Sequence, residues 1–225
     1  MTVFRFAAAM LSAALACQAG AAELPGDFVY LSDIDRTIRQ DMRYAGADNF
    51  THRPVPGYRA AECILTEPAA QALAAAQSEL GAGGLGLMVY DCYRPAKAVR
   101  SFVAWASRKG PADPGHNPHV ARDRLLAEGY IGRKSSHSAG STVDLTLIRN
   151  GKPLDMGTGF DFFDPLAFTD ARAISAAART NRKRLVAIMK AHGFANYRRE
   201  WWHFTYTGQP SADTAFDFDI EPKSH

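Results

Sequence analysis

Residues 135–148, SSHSAGSTVDLTLI, hold two side chains that can bind a metal ion. His137 lies in a turn rich in serine and glycine, and Asp144 follows seven positions later. Zinc accepts imidazole nitrogen and carboxylate oxygen, and a catalytic zinc has three protein ligands and a water. We therefore expect a metal site here, with its third protein ligand elsewhere in the chain.

The segment REWWHF offers that ligand, because it places Glu200 three residues before His203. An imidazole and a carboxylate for the metal's water would then lie together. Residues three apart on a regular strand face opposite sides, so the segment must bend or bulge. Burial of Trp201 and Trp202 would anchor this bend. Taken singly, each candidate ligand would also suit a cap, the core or the surface, but the two motifs together favour a metal site.

Arg94, in YDCYRP, follows an apolar segment and precedes Pro95. At the end of a strand its guanidinium can project into a site and neutralise an oxyanion. It can equally form an ion pair with a neighbouring carboxylate. The residue pattern alone leaves both roles open.

Three segments have the pattern of helices that would support such a site. Thr66 can cap a helix that Gly81 ends, and a second helix begins near Pro95 and continues to about Ser107. A third helix ends at Gly193. Its apolar face is formed by Leu185, Ile188, Met189 and His192.

Two segments have the pattern of strands. Residues 85–93 read as a buried strand, and STVDLTLI alternates polar and apolar residues as a half-buried strand does. Helices and strands are mixed without a regular βαβ repeat. We therefore predict a single α+β domain in which helices flank a mainly antiparallel central sheet that carries the zinc site.

Residues 1–22 have the features of an export signal, which leaves residues 23–225 as the mature domain. Arg5 precedes an apolar run, and small residues follow where a signal peptidase would cut. We expect an exported, periplasmic protein without stable membrane insertion. A lipid anchor on Cys17 is the alternative that we favour less, because Leu15 lies two rather than three positions before it. The near balance of 26 Lys and Arg with 23 Asp and Glu argues against nucleic acid as a partner.

Removal of the signal would leave Cys63 and Cys92. An even pair in an oxidising compartment favours a disulfide. The alternative is two buried, reduced cysteines.

Six motifs, DNFT, YDCYRP, SSHSAGSTVDLTL, MGTGFDFFD, EWWHF and the terminal FDF, together resemble the zinc-dependent D-alanyl-D-alanine dipeptidases. The similarity runs from about Asp27 to Phe218, and six motifs in the same order are highly specific. It implies one zinc per chain and the dipeptide D-Ala-D-Ala as substrate. The implied ligands are His137, Asp144 and His203, with Glu200 as the catalytic carboxylate and Arg94 as stabiliser of the tetrahedral intermediate.

The resemblance also implies three residues that bind substrate. Asp161 would bind the free amino group, and Ser135 and Tyr44 match positions that contact substrate. The residues themselves leave other roles open: Asp161 can cap a turn, Ser135 can satisfy backbone groups in its loop, and Tyr44 can be a core aromatic.

We expect the protein to hydrolyse D-Ala-D-Ala to two D-alanines in cell-wall peptide turnover. A D,D-carboxypeptidase that trims peptidoglycan stem peptides would use the same metal chemistry in an open groove. A zinc module that binds wall fragments without hydrolysis is a third possibility. Glu200 and Arg94 argue against it, because binding alone needs neither a proton carrier nor an oxyanion donor.

Overall fold

In the computed structural model, residues 24–208 and 215–223 are described. The proposed signal at residues 1–22, Cys17 and His225 lie outside the described residues. None of the helices in the described part of the chain is both long and apolar enough to cross a membrane.

A mixed sheet with mostly antiparallel pairing forms the centre of the domain. Its strand order is β2-β4-β5-β8-β7, with β6 paired to β5, and only β2 and β4 run parallel. The strands are β2 (Arg39–Gln40), β4 (Gly86–Asp91), β5 (Thr142–Arg149), β6 (Lys152–Pro153), β7 (Phe194–Asn196) and β8 (His203–Tyr206). A separate antiparallel pair joins β1 (Phe28–Tyr30) to β3 (Ile64–Thr66).

Four α-helices accompany the sheet in the described residues: α1 (Leu31–Ile34), α2 (Glu67–Gly81), α3 (Ala96–Ala106) and α4 (Ala176–Ala191). Helices α2 and α4 contact each other, α2 packs on β4, and α4 packs on β5 and β7. Buried side chains from these elements form one continuous core. The predicted α+β class and the mainly antiparallel sheet are confirmed.

The predicted helices agree with the structure to within a residue or two at most ends. Gly193 follows α4 with φ of 83°, a left-handed conformation that glycine adopts at little cost. Thr66 stands at the start of α2, but its side chain makes no capping hydrogen bond, so that part of the prediction was wrong. Its hydroxyl instead lies 3.3 Å from the Ser141 hydroxyl.

The prediction that β5 is half-buried was also wrong. Its polar residues Thr142, Asp144 and Thr146 are as buried as its apolar ones. The strand lies between β4 and β8 in the sheet. Thr142 shares a hydrogen bond with the Thr205 hydroxyl of β8 at 2.9 Å. Pairing of this kind lets a polar face be buried.

Cys63 and Cys92 lie at disulfide distance, with their Cα atoms 5.3 Å apart. Both are fully buried. Cys63 comes directly before β3 and Cys92 directly after β4, so a bond between them would link the small sheet to the central one.

Candidate metal centre and active site

Three side chains from different elements converge at the centre of the sheet. His137 lies on a short 3₁₀ turn, Ser136–Ala139, while Asp144 in β5 and His203 in β8 are directly opposite each other across the ladder. The His137 Nε2 is 3.2 Å from Asp144 Oδ2, and the His203 Nδ1 is 3.1 Å from Asp144 Oδ1. The two imidazole nitrogens are 3.2 Å apart. The structure thus brings the three predicted ligands to one point.

Hydrogen bonds at the far side of each ring determine which nitrogen faces that point. The His137 Nδ1 is 2.7 Å from the Cys92 carbonyl oxygen, which can only accept, so Nδ1 carries the proton. The Ser136 hydroxyl lies 3.3 Å from His203 Nε2 and can accept a hydrogen bond from an N–H at that nitrogen. His137 therefore presents a lone pair to the centre, and His203 does so when its Nε2 is the donor to Ser136, the arrangement found in metal-binding histidines.

This cluster could hold a metal cation. Two nitrogen lone pairs and a carboxylate face each other in a buried site, and burial of such groups is costly without compensation. Within the described residues, the buried Asp144 Oδ1 accepts no hydrogen bond. Two imidazoles and a carboxylate are a ligand set that suits zinc.

Glu200 lies beside the three ligands because the chain turns before β8. The Glu200 amide donates to the Tyr197 carbonyl, and the Glu200 carbonyl accepts from the His203 amide. This confirms the predicted bend, which brings Glu200 Oε2 to 3.5 Å from His203 Nδ1. Burial raises the pKa of Glu200 to about 7, which suits a group that takes up and releases a proton near neutral pH.

The two tryptophans of the turn are buried, as predicted, with 2% and 1% of their surfaces exposed for Trp201 and Trp202. The Trp201 indole donates to the Thr158 hydroxyl at 2.8 Å. Trp202 lines the cavity. The bend therefore has hydrophobic support on the side away from solvent.

Arg94 makes contacts that fit both roles left open by the sequence. Its Nε donates to Asp91 Oδ2 at 2.9 Å, which is the ion pair, and its Nη2 lies 3.4 Å from Asp144 Oδ2. The guanidinium also lies over the rings of Tyr44 and Phe102 and lines the cavity. Arg94 thus forms a buried ion pair and still faces the space in front of the ligands.

The three expected substrate-binding residues all line the same cavity. Asp161 is buried with φ of 55°, and its Oδ2 accepts from the Tyr44 hydroxyl at 2.8 Å. Burial, followed by the nearby charge of Asp144, raises the pKa of Asp161 well above its usual value. Tyr44 also packs among core aromatics, and the Ser135 hydroxyl accepts from the His137 amide at 3.3 Å. The structural roles considered for Tyr44 and Ser135 therefore coexist with their places in the cavity.

The cavity has a volume of about 270 Å³. Cationic, anionic and aromatic groups share its wall, so it can receive a small ligand that carries both charges. Its lining includes Tyr44, Phe50, Arg94, Phe102, Tyr130, Lys134, Ser135, Ser136, Asp144, Asp161, Phe163, Tyr197, Glu200, Trp202 and His203.

Asp91 and the Cys92 carbonyl were missed by the sequence analysis. Asp91 could have been found, because it is a charged residue at the end of an otherwise apolar strand and a buried carboxylate requires a partner. The carbonyl leaves no signal in the sequence, since every residue has one.

Four further histidines in the described residues contact groups other than the three candidate ligands. His52 contacts Asp113, His119 contacts Asp164, and His192 contacts Glu79. His116 Nδ1 lies 3.2 Å from the backbone oxygen of Asp161. In these contacts His116 is the histidine that meets a residue of the cavity, and it meets the backbone of Asp161 rather than its carboxyl group.

The chain matches one family of known proteins. The family model described as D-ala-D-ala dipeptidase (peptidase M15) matches residues 26–221. A protein of Streptomyces coelicolor named D-alanyl-D-alanine dipeptidase is 41% identical over 201 residues, covering 88% of this chain and 100% of its own. A protein of the same name in Enterococcus faecalis is 40% identical, covering 86% and 98%. One in Escherichia coli K12 is 34% identical, covering 79% and 83%.

Proposed function

The chain belongs to the D-ala-D-ala dipeptidase family, a family of metallopeptidases, and we propose that it hydrolyses D-alanyl-D-alanine to two D-alanines with zinc at the centre formed by His137, Asp144 and His203. The observation that carries the proposal is the approach of these ligand atoms to within 4.8 Å of one another beside Glu200. The relatives' name, D-alanyl-D-alanine dipeptidase, supports D-Ala-D-Ala as the substrate.

Zinc held by these ligands would supply a Lewis acid that polarises the peptide carbonyl and makes water a better nucleophile. Glu200 takes the proton from the water as its oxygen bonds to the carbonyl carbon. Glu200 then returns the proton to the nitrogen of the departing D-alanine as the C–N bond breaks. The raised pKa of Glu200 supports this role, because proton transfer in both directions is most efficient when the pKa is close to the working pH.

Arg94 stabilises the negative charge that develops on the carbonyl oxygen. Arg94 lines the cavity, and its Nε is occupied by Asp91, which leaves the Nη groups as the donors available to the oxyanion. Fixed donors that point at a developing oxyanion contribute a large part of the rate in acyl transfer.

Asp161 binds the ammonium group of the substrate. Its side chain lines the cavity, and the Tyr44 hydroxyl, which donates to Oδ2, holds its orientation. Ser135 lines the wall near His137 and contacts the substrate backbone.

A dipeptide fits the cavity better than a long stem peptide does. Sites for drug-sized ligands have volumes of about 300 to 1,000 Å³, and this cavity, at about 270 Å³, lies below that range. A carboxyl group that binds the free amino end also disfavours substrates in which that amine is part of a peptide bond. We therefore rank the dipeptidase above the D,D-carboxypeptidase.

The reaction takes place in the periplasm, with residues 1–22 as the export signal and residues 23–225 as the catalytic domain. An oxidising compartment would allow Cys63 and Cys92 to form a disulfide. Their 5.3 Å Cα separation, which lies in the range of native bridges, supports this bond.

The test is to incubate zinc-loaded protein with D-Ala-D-Ala and with a stem pentapeptide, each with and without a chelator, and to measure released D-alanine. Cleavage of the dipeptide alone, lost with the chelator, is the expected result. Trimming of the pentapeptide would favour the carboxypeptidase, and no release from either would favour a binding module.

Glu200→Gln provides the sharper comparison, because it keeps the size of the side chain and removes its ability to carry a proton. It should retain zinc and lose turnover by 100-fold or more, roughly the contribution of a general base. Glu128→Gln is the matched control, since Glu128 is exposed and pairs with Arg124 on the surface. Equal activity of the two variants would contradict the role of Glu200.

A further inference from the structure

Asp91 is the last residue of β4 and is fully buried. The five residues that precede it in the strand are glycine or apolar apart from the Tyr90 hydroxyl. Burial of a carboxylate is costly unless hydrogen bonds compensate for the lost hydration. The hydrogen-bond partners of the Asp91 carboxylate therefore indicate its role.

Both carboxylate oxygens of Asp91 are used. Oδ1 accepts a hydrogen bond from the Tyr58 hydroxyl at 2.7 Å, and Oδ2 accepts from Arg94 Nε at 2.9 Å. Oδ2 also lies 3.5 Å from His137 Nδ1. Asp91 is thus fixed from one side by Tyr58 and contacts both Arg94 and a candidate metal ligand.

We propose that Asp91 is the positioning residue for Arg94, an inference that rests on the proposed function. Two carboxylates compete for this guanidinium, because Arg94 Nη2 is only 3.4 Å from Asp144 Oδ2. Asp91 takes the Nε edge and holds the guanidinium so that its remaining donors face the cavity. Without that anchor, the guanidinium would be free to reorient, and its donors would no longer be held toward the cavity.

The alternative is that the Asp91–Arg94 pair only stabilises the fold. Buried ion pairs contribute little net stability compared with apolar replacements, so stability is a weak reason for this arrangement. The Tyr58 hydroxyl also supports a positioning role, since it fixes the orientation of the carboxylate plane. The two explanations differ in what Asp91→Asn does.

Asp91→Asn keeps the size and the acceptor for Arg94 Nε, and it removes the charge. The amide nitrogen can face the Tyr58 oxygen, whose hydroxyl can rotate to accept, so the fold should persist. Asp123→Asn is the matched control, because Asp123 is exposed on the short 3₁₀ turn Arg122–Arg124.

The first measurement does not depend on activity. In a ¹⁵N-labelled protein, the Arg94 Nε–H signal is identified by its loss in Arg94→Lys, and its hydrogen exchange is compared between wild type and Asp91→Asn. We expect exchange to become at least 10-fold faster in Asp91→Asn and to stay unchanged in Asp123→Asn. An unchanged Arg94 signal in Asp91→Asn would overturn the proposal.

The second measurement is a double-mutant cycle on D-Ala-D-Ala hydrolysis. Asp91→Asn should lower kcat by about 10 to 100-fold with Arg94 present, and by less than about threefold in an Arg94→Ala background. KM should change little, because Arg94 acts on the tetrahedral state. Equal losses in both backgrounds, or loss of bound zinc in Asp91→Asn, would show that Asp91 acts elsewhere. A wild type without hydrolysis would refute the proposed function, and the exchange measurement would still decide the positioning role.

Discussion

Removal of the link between Cys63 and Cys92 should cost stability without removing the chemistry. The perturbation is the double variant Cys63→Ala/Cys92→Ala. The two residues are separated by 29 positions, and the chain-entropy relation for a loop of that size gives about 3.6 kcal/mol at 25 °C. The free energy of unfolding should fall by about that amount, because the unlinked unfolded chain gains conformational freedom.

Activity should survive in the fraction that is folded. The group that orients His137 is the backbone carbonyl of Cys92, not its sulfur, so alanine retains it. That backbone is also held by the hydrogen bond from the Tyr93 amide to the Ile64 carbonyl. We expect kcat within about threefold of wild type and a lower resistance to denaturant.

The assay is urea unfolding of the metal-free protein, with and without a thiol reductant. Slopes of about 2 to 3 kcal/mol per molar urea would turn the loss into a midpoint shift of about 1 to 2 M. Reduced wild type should match the double variant, and the reductant should leave the double variant unchanged. The disulfide would be refuted if the reductant did not change the urea midpoint of the wild type and if Cys63 and Cys92 both titrated as free thiols after unfolding without reductant.

Three further predictions follow from the site. Arg94→Ala should keep bound zinc and lose about 100 to 1,000-fold in kcat, measured as D-alanine release, and a loss mainly in KM would contradict its role. Zinc at 100 times its dissociation constant should raise the free energy of unfolding by about 2.7 kcal/mol, and His137→Ala should abolish this gain in a urea titration. Gly140→Ala should lower the urea midpoint by the equivalent of about 1 to 3 kcal/mol, because φ is +84° there and the new Cβ would overlap the Phe28 ring; an unchanged midpoint would show that this turn can shift.

The sequence predicted the helices, the main strands and the three candidate ligands because each leaves a local mark. Periodicity identifies α4 from Leu185, Ile188 and Met189, and the turn-forming residues around His137 set it apart from the strand that carries Asp144. The bend at Glu200 followed from the geometry of a strand. These inferences require only neighbours along the chain.

The burial of β5 could not be predicted in the same way. Alternation of Thr142, Asp144 and Thr146 with apolar residues is typical of a strand with one face in water. Here the polar face meets Thr205 and His203 of β8, and these two partners are about 60 residues away in sequence. The pattern of polar residues indicates which groups need hydrogen-bond partners. Only the tertiary structure determines whether water or protein provides those partners.

The same reasoning explains why the sequence indicated Arg94 as a site residue and did not indicate Asp91. Arg94 precedes Pro95 and stands out as a cation at a strand end, whereas Asp91 is read as the end of a buried strand. A carboxylate in such a strand cannot be buried alone, so its presence three residues before an arginine predicts a pair at short range. In the structure the Nε of Arg94 pairs with Asp91, and its Nη2 lies near Asp144 in the site. Charged residues at the ends of apolar strands are therefore candidates for groups that position others, even where they match no ligand pattern.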